Sequence, residues 1–179
     1  MSADIGILIL RIVVGLLIIG HGTQKLFGWF GGYGLAKTAG AFGSMGMRPA
    51  GLWALMAGLS EAGGGLLLAL GLLNPLGSLG VAAAMLVAIT TVHWGRLWAN
   101  ENGMELPLMY LTPAIAVAIA GPGFYSLDAA LRIQLPMPLS FIGGMVLVLI
   151  GVATVLGTTQ KPVAAVAPAT EVERTSRAA

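Results

Sequence analysis

The apolar stretch at residues 5–30 constrains the fold of this chain most, because three basic residues interrupt it. These are Arg11, His21 and Lys25. A charged side chain in bilayer hydrocarbon costs about 2.5–3.5 kcal/mol on insertion scales, so such residues usually face a bundle interior and have a partner there. At about 100° per residue, Arg11 and Lys25 fall on almost the same line of a helix, with His21 one turn before Lys25. The stretch is therefore predicted to be a membrane helix whose basic side faces other helices.

The composition extends this prediction to the whole chain. Of its 179 residues 57% are hydrophobic and 9% charged, whereas a soluble domain is about a quarter charged. A helix needs about 20 apolar residues to cross a hydrocarbon core of about 30 Å. Because Arg11 interrupts the first segment and no clear cleavage site follows it, we do not expect a cleaved signal peptide. We predict an all-α, polytopic transmembrane helix bundle, with candidate segments at 5–27, 51–73, 76–97, 107–120 and 138–157.

Several function classes are excluded by the residues that the chain lacks. It has no cysteine, which removes disulfides, thiol catalysis and Cys-ligated zinc or iron–sulfur clusters. The net charge is only +2, and the nine Lys and Arg form no run typical of nucleic-acid binding. His21 and His93 lie in no carboxylate-rich motif, so hydrogen bonding or proton relay suits them better than metal ligation. We expect no metal site and no cofactor held by the chain itself.

The distribution of basic residues predicts the orientation. Five crossings place the two termini on opposite faces of the membrane. The loops at 28–50 and 98–106 and the C-terminal tail share one face, which carries most of the Lys and Arg, whereas the other face has Arg132. Because cytoplasmic loops are enriched in Lys and Arg, we expect the N-terminus outside and the C-terminus in the cytoplasm.

The polar residues of the segments fall into two layers when depth is calculated from a rise of 1.5 Å per residue. Arg11 and Glu61 lie at about 9 and 15 Å from opposite ends of their segments, and we expect them to form a buried ion pair. A second cluster lies near the cytoplasmic boundary. It is either a site for an anion or a redox ligand, or a set of pairs that fixes helix register. Its members are His21, Lys25, His93, Arg96, Glu101 and Glu105.

An ordered set of motifs over residues 5–130 resembles the DoxX family of small bacterial and archaeal membrane proteins. The motifs include Gly20-His-Gly-Thr-Gln-Lys25, Glu61-x2-Gly64, Glu105-x-Pro107 and Gly121-Pro-Gly-x-Tyr-Ser-Leu-Asp128. The resemblance implies a four-helix membrane domain at 1–130 and a bacterial inner-membrane location. It also implies a link to redox biology, since the family name comes from the membrane subunit of an archaeal thiosulfate:quinone oxidoreductase. Mycobacterial relatives are associated with a complex of superoxide dismutase and a sulfurtransferase. Residues 131–157 are predicted to form an additional transmembrane segment and 158–179 a disordered polar tail.

Three functional hypotheses follow. In the first, the protein is the membrane subunit of a quinone- or sulfur-linked oxidoreductase system, and its basic cluster binds a quinone head group or a small oxyanion beside a partner protein. In the second, it is a non-enzymatic membrane scaffold, whose polar groups serve folding and assembly, including assembly as a homo-oligomer. A small transporter is a third hypothesis, weakened because no inverted repeat is apparent. The motifs assign no catalytic residue.

Overall fold

The protein is all-helical in a computed structural model that describes residues 1–160. Two single turns of 3-10 helix, Trp29–Gly31 and Ala99–Glu101, lie in its loops. The predicted polar tail at 158–179 lies outside the described residues except for its first three positions. The helices are α1 (Ser2–Phe27), α2 (Gly34–Ser44), α3 (Ala50–Leu70), α4 (Leu76–Thr91), α5 (Glu105–Ala120), α6 (Leu127–Leu131) and α7 (Leu139–Thr158).

Within residues 1–160, three helices are long and apolar enough to cross a membrane, namely α1, α3 and α7. They contain 26, 21 and 20 residues. The helices α4 and α5 are also apolar but have 16 residues each, which corresponds to a length of about 24 Å. The predicted fold class, an all-α membrane helix bundle, is confirmed.

The boundaries of two segments differ from the predicted ones, and a glycine with positive φ lies at or shortly after the end of each helix. Gly71, at φ 63°, caps α3 in the left-handed conformation, so the helix stops before residue 73. The fourth helix ends at Thr91 rather than 97. The chain then turns at Gly95, which has φ 83°, so residues 92–104 form a loop instead of a helix end.

Small residues bring α1 and α3 into backbone contact along most of their length. A Cβ on Gly15 would lie 2.7 Å from the Cβ of Ala69, and one on Gly22 would lie 2.4 Å from the backbone N of Ala62. Glycines of this kind let membrane helices approach closely and gain dispersion contacts. The two helices are antiparallel, and these two pairs fix their register.

The other long helices complete the bundle around one core. The helix α4 packs against α3 and α5, and α5 closes the ring against α1. Ile18, Val81 and Ala114, from α1, α4 and α5, are fully buried where these helices meet. The last helix, α7, lies outside this four-helix arrangement and packs against α4.

Candidate functional site

The buried carboxylate of Glu61 pairs with Lys25, and the predicted ion pair between Arg11 and Glu61 is wrong. Lys25 Nζ lies 2.5 Å from Glu61 Oε2. The Glu61 side chain is 5% exposed and the Lys25 side chain 28% exposed. The basic stripe predicted on α1 therefore does turn inward, but a different member of it meets the carboxylate.

The register of α1 against α3 explains this error. With Gly22 opposite Ala62, Glu61 lies at the level of Thr23, half a turn from Lys25. Arg11 is twelve residues from that level along α1, a separation of about 18 Å. The depth calculation assumed that both helices begin at the membrane surface. In fact α3 begins well before the level at which α1 ends, so Glu61 lies nearer the C-terminal end of α1 than its position in α3 implied.

Arg11 instead bonds to the backbone at the other end of the bundle. Its guanidinium is buried and donates through Nη1 to the carbonyl of Pro122 and through Nη2 to that of Tyr125, at 2.9 Å. The loop that supplies these carbonyls joins α5 to α6. Nη2 also lies 3.3 Å from the carbonyl oxygen of Ala69, near the end of α3. Arg11 thus connects α1 to the end of α3 and to the α5–α6 loop by hydrogen bonds, which is a structural role.

The end of the Gly121–Asp128 motif has a related role. The Asp128 carboxylate is buried and accepts hydrogen bonds from the backbone N of Leu73 and of Asn74, both at 2.8 Å. The backbone N of Asp128 donates in turn to the carbonyl of Gly71. The motif therefore holds the α3–α4 turn against the α5–α6 loop and closes this end of the bundle.

At the opposite end, five polar side chains line one cavity of about 130 Å³. We call it the polar pocket. His21 Nε2 lies 3.3 Å from Tyr110 Oη, and the two rings meet edge to face with centroids 5.6 Å apart. Apolar atoms of Met85, Ala88, Leu106 and Pro107 form the rest of the wall. The polar members are His21, Lys25, Glu61, His93 and Tyr110.

Three of the predicted cluster residues do not line the polar pocket: Arg96, Glu101 and Glu105. Arg96 Nη1 donates to the backbone carbonyl of Glu101, at 3.3 Å, and Glu105 Oε2 accepts from the backbone N of Ala99, at 2.8 Å. These two hydrogen bonds stabilise the 92–104 loop, which begins where α4 ends at Thr91. His93 contributes both to the polar pocket and to the 92–104 loop. It lines the pocket, and its Nδ1 lies 2.7 Å from the carbonyl oxygen of Asn102.

Tyr110 is the site residue that the sequence reasoning missed. It lies in the middle of α5 and is 9% exposed. A phenol buried among apolar residues usually has a hydrogen-bond partner, and this expectation was the available signal. The pocket as a whole combines an ammonium, a carboxylate, two imidazoles and a phenol. Among residues 1–160, no three His, Cys, Asp or Glu side chains are grouped as metal ligands would be. The side chains of the polar pocket can donate and accept hydrogen bonds.

The all-helical fold, with three apolar helices long enough to cross a membrane, defines the class of protein as an integral membrane helix bundle. The family model described as DoxX matches residues 6–94, and the chain belongs to the DoxX family. The matched stretch spans α1 to α4 and includes the pocket residues His21, Lys25, Glu61 and His93. No curated protein and no solved structure matches the chain.

Proposed function

We propose that this protein is the membrane subunit of an oxidoreductase system and that the polar pocket binds a quinone head group. One observation carries the proposal: a lysine ammonium paired with a buried carboxylate shares a small cavity with two histidines and a tyrosine at one end of a membrane bundle. An intramembrane cluster of ionisable groups is expensive, so it marks a functional site by default.

The charges favour a quinone over an oxyanion. Glu61 compensates the charge of Lys25 within the pocket, so little positive charge is left to attract an anion. A neutral quinone needs hydrogen-bond donors for its carbonyl oxygens, and Lys25, His21 and Tyr110 carry such donors. The apolar wall suits the faces of a ring. At about 130 Å³, the pocket is smaller than the roughly 300 Å³ at which drug-sized sites begin, which limits the ligand to a head group.

The residues present indicate which part of quinone reduction this chain could carry out and which part a partner would supply. Reduction of a quinone takes up two electrons and two protons. The histidines and the phenol of the pocket can exchange protons with the ligand. The electrons would come from a partner oxidoreductase, because the chain has no cysteine and no recognisable flavin or haem motif.

We further propose that the polar pocket faces the cytoplasm, in a bacterial inner membrane. Lys37, Arg48 and Arg96 lie at the pocket end of the bundle, while Arg132 lies at the other end, in agreement with the positive-inside rule. A Ser44→Cys variant would carry the one thiol of the chain. It should react with a membrane-impermeant maleimide only after the cells are lysed, and labelling of intact spheroplasts would reverse the orientation.

Binding of decylubiquinone to the purified protein tests the site. Tyr110→Phe removes one hydroxyl and keeps the ring, and we expect it to weaken binding by about tenfold, the worth of one hydrogen bond. Tyr33→Phe is the matched control, since Tyr33 is 76% exposed and lies outside the pocket. Unchanged affinity in Tyr110→Phe and in His21→Leu would reject the site.

The scaffold hypothesis remains the second candidate because Lys25 and Glu61 satisfy each other. It predicts that the protein binds no quinone and that a variant with both charges removed keeps its native assembly. The proposed ligand site predicts that the same variant folds but no longer binds decylubiquinone.

A further inference from the structure

An apolar groove of about 280 Å³ lies between α3, α4 and α7, apart from the polar pocket. Trp53 and Ser60 line it from α3, and Leu147 and Gly151 from α7. Ser60 precedes Glu61 in α3, so the groove and the polar pocket lie at one depth on two sides of this helix. No charged side chain is among the residues that line the groove.

The groove exists because α7 approaches α4 closely at only one of its glycines. A Cβ on Gly144 would lie 2.3 Å from Leu79 Cδ1, which shows that the two helices touch there. Seven residues further along α7, a Cβ on Gly151 would meet no atom within 4 Å. Since α7 makes few contacts with α3, the space beside Gly151 stays open.

The surroundings of the groove select a hydrocarbon chain as its occupant. Both α3 and α7 are long and apolar enough to cross the membrane, so the groove lies within the bilayer. An empty groove would leave its lining atoms without dispersion contacts, whereas an acyl chain restores them.

Arg48, at the end of the groove near Trp53, indicates which lipid head group the groove would accept. The backbone carbonyl of Arg48 accepts from Trp53 Nε1 at 3.0 Å, and its backbone N donates to the carbonyl of Thr158 at 3.2 Å. Arg48 is therefore anchored both to a residue of the groove wall and to the end of α7. Its side chain is exposed, and within residues 1–160 it takes part in no ion pair. A guanidinium at this level matches the phosphate of a lipid whose chain enters the groove.

We propose that the apolar groove binds one phospholipid, with an acyl chain between α3 and α7 and the phosphate at Arg48. This site is separate from the polar pocket and does not depend on the proposed quinone function. The helix that forms its outer wall, α7, lies beyond the stretch matched by the family model.

Native mass spectrometry of the full-length protein tests the proposal, after delipidation and titration with dioleoyl phosphatidylglycerol. We expect saturation at one lipid per protein. Gly151→Leu should lower the affinity at least about tenfold, because the new side chain enters the groove. Gly143→Leu is the matched control: it lies on the same helix, its Cβ also meets nothing within 4 Å, and it does not line the groove.

Two further variants keep the test decisive. Val148→Phe fills the groove from another position and replaces Gly151→Leu if that variant does not fold. Arg48→Gln keeps both backbone hydrogen bonds and should weaken binding of phosphatidylglycerol. Equal binding by the groove-filling variants and Gly143→Leu would overturn the proposal. So would a protein dimer that dissociates in Gly151→Leu, or displacement of the lipid by decylubiquinone, since each identifies a different occupant.

Discussion

Removing one partner of the Lys25–Glu61 pair should be far more harmful than removing both. With Lys25→Met, the Glu61 carboxylate remains 5% exposed, and no other Lys or Arg lines the polar pocket to pair with it. Breaking a buried pair in this way costs about 3–5 kcal/mol. We therefore expect this variant to be strongly destabilised in detergent.

The opposite single change should cost less, and the structure gives the reason. In Glu61→Leu the remaining charge is on Lys25, whose side chain is 28% exposed and lies in the last turn of α1. A lysine near a helix end can extend its ammonium to the membrane surface. We expect a loss of about 1–2 kcal/mol, the cost of a broken hydrogen bond. The double variant should unfold within about 1 kcal/mol of the wild type, since apolar replacement of a buried pair is often neutral or stabilising.

A double-mutant cycle measures this coupling. Unfolding in mixed micelles, with SDS as the denaturant and tryptophan fluorescence as the signal, would give the free energy of each of the four proteins. We expect a coupling of at least about 3 kcal/mol between the two positions. If the losses in the free energy of unfolding simply add in the double variant, Lys25 and Glu61 do not form a coupled pair. A larger loss for Glu61→Leu than for Lys25→Met would refute the argument from side-chain exposure.

Two further predictions concern the contacts that fix helix register. Gly22→Ala should destabilise the protein by about 1–3 kcal/mol, because the new Cβ would lie 2.4 Å from the backbone of Ala62; Gly20→Ala, whose Cβ meets nothing within 4 Å, should be neutral or slightly stabilising. Equal shifts of the melting temperature would contradict the packing of α1 on α3. Asp128→Asn should cost about 2–3 kcal/mol in the same unfolding assay, since its carboxylate accepts two backbone hydrogen bonds. Asp4→Asn, which affects an exposed hydrogen bond from the backbone N of Phe124 and an exposed ion pair with the amino terminus, should lower the stability much less, and a larger effect at Asp4 than at Asp128 would argue against Asp128 as the closing residue.

The sequence by itself determined the fold class and the inward direction of the polar residues. Hydrophobic segments of membrane-crossing length predict helices, because a bilayer offers no partners to an unpaired backbone. The same cost argument predicted that Arg11, Lys25 and Glu61 face other helices, and Arg11 and Glu61 are indeed buried. The association of His21, Lys25 and His93 at one end of the bundle also follows from depth along each segment, and these three do line one pocket.

Only the tertiary structure decided which of these groups meet. Partner choice depends on the register of α1 against α3, which is set by the contacts of Gly15 and Gly22 rather than by where each segment enters the membrane. A shift of a few residues in that register changes which carboxylate a given cation reaches. The backbone carbonyls that receive Arg11 carry no signal in the sequence, since every residue has one. Packing likewise decides the partner of Tyr110, since its phenol reaches His21 only because α5 packs against α1.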